Sequence, residues 1–397
     1  MSAADLSIAE ARSVVLDAVR SLPGERVAVT RARGRVLAQE VRARGDVPPF
    51  PSSAMDGYAA LPGPANRRLL VIGESRAGAP ASQPPQEGEA LRISTGAALP
   101  GPALAVIPVE RASEADGWVT VEQDAQAGRH VREPGEDMRA GQSVLAAGCR
   151  LSAAELGVAV AAGHDHLVCT RSPRLAVVCS GDELRPPGAH LGPGQIHNSN
   201  AITLSALAES AGAQVVSNEV VADEPARTKT ALGAALEHCD VLVISGGVSV
   251  GEHDHVKRAL GALDVEQRFW RVALRPGRPT WFGVRGDKLV FGLPGNPVSV
   301  MVTFLLFARW ALAALQGAST AMERQVATLA TTLPRLADRD EAVRVRITET
   351  GEGRLATPTG PQGSHQLTSM LRAHALLVVE AGARELPGGS RVLVEPI

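Results

Sequence analysis

VLVISGGVSVGEHDHVK, residues 241–257, is the stretch whose reading decides the fold. The run Val241-Leu242-Val243-Ile244 has no polar face, so it reads as a strand covered on both sides, the habit of parallel sheets in α/β domains. It stops at Ser245-Gly246-Gly247, where a backbone without Cβ atoms lets a ligand approach closely. Acids follow at Glu252 and Asp254. Ligands of open α/β sheets bind beyond the carboxyl ends of the strands, so a glycine turn followed by carboxylates suits a phosphate held beside a divalent cation. Taken alone, the stretch reads equally as a strand-to-helix connection in which Asp254 caps HVKRALGAL.

Outward from this point the pattern alternates. RLAVVC (174–179), QVVSNEVV (214–221), DVLVI (240–244), RFWRVAL (268–274) and KLVFGL (288–293) read as strands. NAITLSALAESAG (200–212), EPARTKTALGAALEHC (224–239), a segment near 255–263 and a long stretch from Pro297 read as helices. Such alternation predicts a doubly wound, mainly parallel α/β core over 1–21 and 171–316. Residues 42–141 are rich in Pro and Gly, with short apolar runs such as RLLVIGE (68–74) and ALAVIPVE (103–110), and predict a β-rich projecting insert. The apolar, alanine-rich segments 22–41 and 142–170 flank it and predict a small discontinuous linker domain. The last stretch, 317–397, has short strands (AVRVRIT, ALLVVEA, SRVLVEP) and predicts a C-terminal β-barrel or sandwich.

Forty Lys and Arg against 42 Asp and Glu leave the chain nearly neutral, which argues against a general binder of nucleic acid or membrane and makes any anion site local. The start, MSAADLSIAEARSVVLDAV, lacks the basic and apolar regions of a secretory signal and reads as an amphipathic helix, so a cytoplasmic protein is expected. PVSVMVTFLLFARWALAALQ, broken by Arg309, reads as a buried core helix rather than a bilayer span. The four cysteines show no CxxC spacing, and the two His-Asp-His triplets lack further ligands at metal spacing.

Several polar islands fall at strand ends. Ser180-Gly181-Asp182-Glu183 brings two acids, suited to Mg²⁺ or to ligand donors, or simply to a solvated turn. Asp223 follows the next strand, and beside Pro225 it also reads as a helix cap. With Glu252 and Asp254, the strands deliver their acids to one sheet edge, where like charges repel unless a cation or ligand donors offset them. Arg275-Pro276-Gly277-Arg278-Pro279 holds two guanidinium forks on a stiff turn, a fit for an oxyanion. Pro294-Gly295-Asn296-Pro297 ends a strand and starts a helix whose free N–H groups would attract an oxyanion. Ser52-Ser53-Ala54-Met55-Asp56-Gly57-Tyr58, Arg344 and Gly363-Ser364-His365 are weaker signals singly.

In order along the chain, PPFPSSAMDGYA (48–59), RISTGA (92–97), GED (135–137), SGDEL (180–184), QIHNSN (195–200), SGGVSVGEHD (245–254), RPGRP (275–279), GLPGNPVS (292–299) and GSH (363–365) resemble the motifs of the molybdopterin molybdenumtransferases, the MoeA family, whose eukaryotic counterparts include the E-domain of gephyrin. The resemblance spans nearly the whole chain. It implies an enzyme that hydrolyses adenylylated molybdopterin to AMP and inserts molybdate into the dithiolene, giving molybdenum cofactor. The related alternative is a carrier or scaffold that binds molybdopterin without insertion.

Carried over by position, Asp56, Thr95 and Asp137 match residues of a catalytic cleft shared between subunits, and Glu183, Asp223 and Asp254 match the acids around substrate and Mg²⁺. Ser245, Gly246, Gly247, Ser249, Pro294, Gly295, Asn296 and Pro297 match the substrate-binding turns. Arg275, Arg278, Pro279, Arg344 and Ser364 match the molybdate pocket. The resemblance also implies a homodimer whose β-rich insert completes the partner subunit's site, and a molybdopterin adenylyltransferase as substrate donor. Two departures stand out: Arg275 and Arg278 occupy positions where the family usually has lysine, and Leu104 stands where it commonly has aspartate.

Overall fold

The computed structural model describes residues 5–102, 104–247, 255–318 and 324–397. Four strands, Gln214–Val221, Arg174–Ser180, Val241–Ser245 and Lys288–Leu293, lie side by side in that spatial order, all parallel. Their alternating side chains explain the apolar runs. Leu175, Val177, Val241 and Val243 pack on one face against the helix Ile8–Asp17 and the long helix Pro297–Leu315. Ala176, Val178, Leu242 and Ile244 pack on the other, against Leu232, Leu236 and Leu260. Both faces being covered, neither strand parity can be polar.

The sheet ends in an antiparallel pair. Trp281–Arg285 forms a hairpin with Lys288–Leu293 through Gly286, whose φ is +58°, and Glu266–Trp270 adds at the edge. The expectation of one strand over 268–274 is corrected here. Arg271 takes φ +78°, which breaks the extended run, and Leu274–Arg275 pairs instead with Asp340–Glu341 in another sheet.

The helix Pro297–Leu315 has a mean hydropathy of 2.0 and is 78% buried, as a core helix is. It contains a π turn over Phe304–Ala308, and the Leu306 carbonyl within that turn accepts from Arg12 Nε at 2.9 Å.

Strands Gln325–Leu329, Asp340–Thr350, Gly353–Pro358, Ala375–Val379 and Arg391–Pro396 close on themselves, because Asp340–Thr350 pairs with both Gly353–Pro358 and Ala375–Val379. This five-stranded barrel is filled by Val343, Val345, Leu377 and Val394. The Pro- and Gly-rich stretch forms a six-stranded mixed sheet ordered Ala105–Pro108, Gly57–Ala60, Glu89–Ile93, Arg68–Ser75, Trp118–Val121 and Ala112–Ala115. Leu104 is 3% exposed and packs with Ala59, Leu91 and Val106 on one face of it. The segments on either side of this sheet meet again: Gly24–Ala28 pairs with His166–Thr170, and Val41–Arg42 with Ser143–Leu145.

Candidate functional site

The carboxyl ends of the parallel strands open into a cavity of about 410 Å³. Its floor is the turn after Val241–Ser245. Gly246 has φ +91°, and a Cβ there would sit 2.6 Å from the Ser180 carbonyl oxygen. Gly247 has φ +66°, and a Cβ would meet Val256 Cγ2 at 2.5 Å. Both positions therefore need glycine. Pro294, Gly295, Asn296 and Pro297 form one wall, and Glu183, Leu184 and the segment Ile196–Asn200 form the other, with Pro279 at the margin.

The acids fall on the same edge. Glu183 lines the cavity and is exposed. Asp223 stands one hydrogen bond behind the wall, since Ser180 Oγ donates to Asp223 Oδ1 at 2.5 Å, and the Asp223 N–H donates to Asp182 Oδ1 at 3.1 Å. The capping alternative for Asp223 fails, because Glu224 occupies the cap position of the helix Pro225–His238 and no side chain caps it. Asp254, Glu252 and Ser249 lie outside the described residues. Among the described residues no group of three His, Cys, Asp or Glu side chains converges on a metal position. The donors that are present, the carboxylates of Asp182, Glu183 and Asp223, are the hard oxygens that Mg²⁺ takes.

The helix start at Pro297 departs from expectation. Asn296 occupies the cap position, but its side chain makes no bond to the helix; Nδ2 donates to Ser364 Oγ at 3.2 Å. Val298 N–H donates to the Ser364 carbonyl at 3.1 Å, and Pro297 has no N–H, so part of the expected oxyanion cradle is already occupied by the chain. The same contacts bring the barrel loop Gly363-Ser364-His365 against the cavity wall.

Behind that loop lies Arg344, with no exposure. Its Nε donates to Ser369 Oγ at 3.2 Å and Nη2 to the Gly363 carbonyl at 3.4 Å, while Nη1 is buried without a partner. Burial lowers its pKa to about 10, although Glu341 acts in the opposite direction; Arg275 adds to the lowering. The guanidinium thus stays charged at neutral pH. Arg275 is exposed, with Nε 3.6 Å from Glu341 Oε1. Arg278 turns away to Asp5, its Nε donating to Oδ2 at 2.7 Å. The two forks of the Pro-Gly turn thus serve different carboxylates.

Asp56, Thr95 and Asp137 do not line the strand-end cavity. Asp56 Oδ1 accepts from the Thr95 N–H at 2.7 Å and from Thr95 Oγ1 at 3.1 Å, fixing an exposed carboxylate at the end of the β-rich sheet. Asp137 lines a second cleft of about 550 Å³ with Phe50, Gly96, Arg132 and Glu136.

Sequence reasoning gave no role to Ser180, Asn198 or Asn200. Asn198 Oδ1 caps the helix Ser199–Ser210 through the Ala201 N–H at 3.1 Å. Asn200 Nδ2 donates to Ser245 Oγ at 2.9 Å and to the Gly295 carbonyl at 2.7 Å. The signal was available: two asparagines at a helix start, only one of which can be its cap.

Comparison with known proteins adds the following. Residues 6–163 match a family model for the MoeA N-terminal region (domain I and II), 176–314 a model described as a probable molybdopterin binding domain, and 326–397 the MoeA C-terminal region (domain IV). Molybdopterin molybdenumtransferase 2 of Mycobacterium tuberculosis is 34% identical over 403 residues, covering 98% of each chain. Molybdopterin molybdenumtransferase of Haemophilus influenzae is 32% identical over 404 residues, again covering 98% of each. A crystal structure of the molybdopterin biosynthesis MoeA protein from Pyrococcus horikoshii OT3 superposes with a TM-score of 0.84 at 28% identity, over 99% of this chain and 100% of that one.

Proposed function

The chain belongs to the MoeA family and is a transferase of molybdenum cofactor biosynthesis, and on that premise we propose that it binds adenylylated molybdopterin in the strand-end cavity, releases AMP and places molybdate on the dithiolene. One observation carries this reading. The cavity wall at Asn296 is hydrogen-bonded to Ser364, and Ser364 follows directly on Gly363, whose carbonyl accepts from Nη2 of Arg344, the side chain whose Nη1 has no partner. One barrel loop therefore touches both the wall of the slot and the buried oxyanion donor.

In this reading Ser245, Gly246, Gly247, Pro294, Gly295, Asn296 and Pro297 shape the slot, with Ser249 next along the chain. Arg344 would turn its buried, unpartnered Nη1 to a molybdate oxygen, and Arg275, Pro279 and Ser364 would complete the pocket, which Arg278 would join on leaving Asp5. Arginine in place of lysine keeps the charge and adds a bidentate fork. Water adds across the pyrophosphate link, one P–O bond breaks, and AMP leaves while the pterin keeps its phosphate. Mg²⁺, held by carboxylates of Glu183, Asp223 and Asp254, would supply Lewis-acid neutralisation of the pyrophosphate charge. Asp223 is positioned for its share by the Ser180 hydroxyl.

Asp56, Thr95 and Asp137, which lie away from this cavity, suit a homodimer in which the 42–141 insert reaches the partner subunit's cavity. A molybdopterin adenylyltransferase would deliver the substrate, in the cytoplasm.

The test is AMP release from adenylylated molybdopterin at controlled Mg²⁺, with and without molybdate, coupled to reactivation of a cofactor-free molybdoenzyme. Molybdate-dependent AMP release with recovered activity is expected. Tight binding with neither signal would instead make the chain a carrier or scaffold.

A further inference from the structure

We propose that Asn200 is a positioning residue that sets the width of the substrate slot by tying together the two strand-end turns that form it; this rests on the cavity being the pterin-nucleotide site. The turns follow neighbouring strands, Val241–Ser245 and Lys288–Leu293, whose last paired residues are Ser245 and Leu293. Beyond that pair, among the described residues, one backbone bond joins the turns, from the Gly246 N–H to the Leu293 carbonyl at 3.1 Å. Asn200 spans the gap. Its Nδ2 donates to Ser245 Oγ on one side and to the Gly295 carbonyl on the other, and Ser245 Oγ in turn reaches the Pro294 carbonyl at 3.5 Å.

The orientation of this amide is fixed by chemistry. A backbone carbonyl only accepts, so the group facing Gly295 must be the NH₂. The Oδ1 is left buried with no partner. An acceptor left in that state disfavours the site, and such sites persist where another demand holds the residue in place. Here the demand is the double donation. Asn200 is 9% exposed and sits in the first turn of the helix Ser199–Ser210, which Asn198 caps. The helix start is thus the anchor, and the two turns are the parts being held.

The isosteric Asn200→Asp variant tests this. A carboxylate can still accept from Ser245 Oγ but cannot donate to the Gly295 carbonyl, so one link is cut with the shape kept. Losing one such hydrogen bond should raise the dissociation constant for molybdopterin by roughly 3- to 10-fold. The KM for molybdate should stay within about twofold, and amide exchange at Gly246 and Gly295 should quicken. Asn200→Ala, which cuts both links, should have the larger effect on pterin binding.

Unchanged pterin affinity in both variants would overturn the proposal, as would equal losses for pterin and molybdate. Ile196→Trp separates this from failure of the underlying reading, because Ile196 lines the cavity and is 54% exposed, so an indole there obstructs it. If Ile196→Trp leaves pterin binding intact, the cavity is not the pterin site; if it abolishes binding while the Asn200 variants do not alter it, only the role of Asn200 falls.

Discussion

Arg344 shows how a single side chain can carry function at a cost to stability. A fully buried guanidinium with one unpartnered nitrogen is unfavourable in the free protein, and its pKa near 10 records that. Because the folded pKa lies below that of the unfolded chain, the unfolded state binds more protons as pH rises above about 10, and the charge disfavours folding at all lower pH. Arg344→Met should therefore lose molybdate affinity by at least tenfold yet melt no lower than the parent, since replacing a poorly paired buried charge by an apolar group of similar volume is typically neutral or stabilising. Equilibrium binding and thermal denaturation of the same preparation check both halves. Leu104 is a different case. It fills an apolar cluster beside Ala59 and Val106, and a carboxylate there would have to leave that cluster.

Among the elements, the strand Val241–Ser245 is fixed at both ends. At its start, Asp240 receives Arg171 Nη1 at 2.7 Å and Nη2 at 2.9 Å, together with the Arg174 N–H at 2.7 Å, so it staples two neighbouring strands. Partial burial pushes the Asp240 pKa up, but the Arg171 and Arg174 bonds outweigh it and leave the carboxyl below its ordinary value. With a depressed folded pKa, the contribution is complete above the unfolded pKa and is lost as pH falls through the folded one. Asp240→Asn should cost about 1.5–3 kcal/mol at neutral pH, and the gap between parent and variant should close below about pH 4. Urea unfolding across pH 3 to 8, run at about one-unit intervals, reads this directly.

At the scale of the whole molecule, the N-terminal helix, the long core helix and the barrel are joined by Arg12 and Glu395, which meet at 2.8 and 2.6 Å and are both buried. Arg324 approaches the same carboxylate at 3.2 Å, and Arg309 donates to the Pro396 carbonyl at 2.7 Å. Removing the one acid would leave the Arg12 charge buried and unpaired, so Glu395→Ala should lose about 3–5 kcal/mol, measured by denaturant unfolding. The sequence alone determined the parallel core, because strands buried on both faces must be apolar throughout, and it carried the family motifs, because glycine turns and acids at strand ends are local features. It could not show that the 268–274 strand breaks at Arg271, where φ is +78°, or that Leu274 and Arg275 pair with a barrel strand. Nor could it show that Arg278 answers to Asp5, that Asn296 reaches Ser364, or that Asn200 holds two turns. Periodicity reports on neighbours along the chain, whereas these bonds join residues 45 to 273 positions apart and exist only once the sheet, the long helix and the barrel have packed.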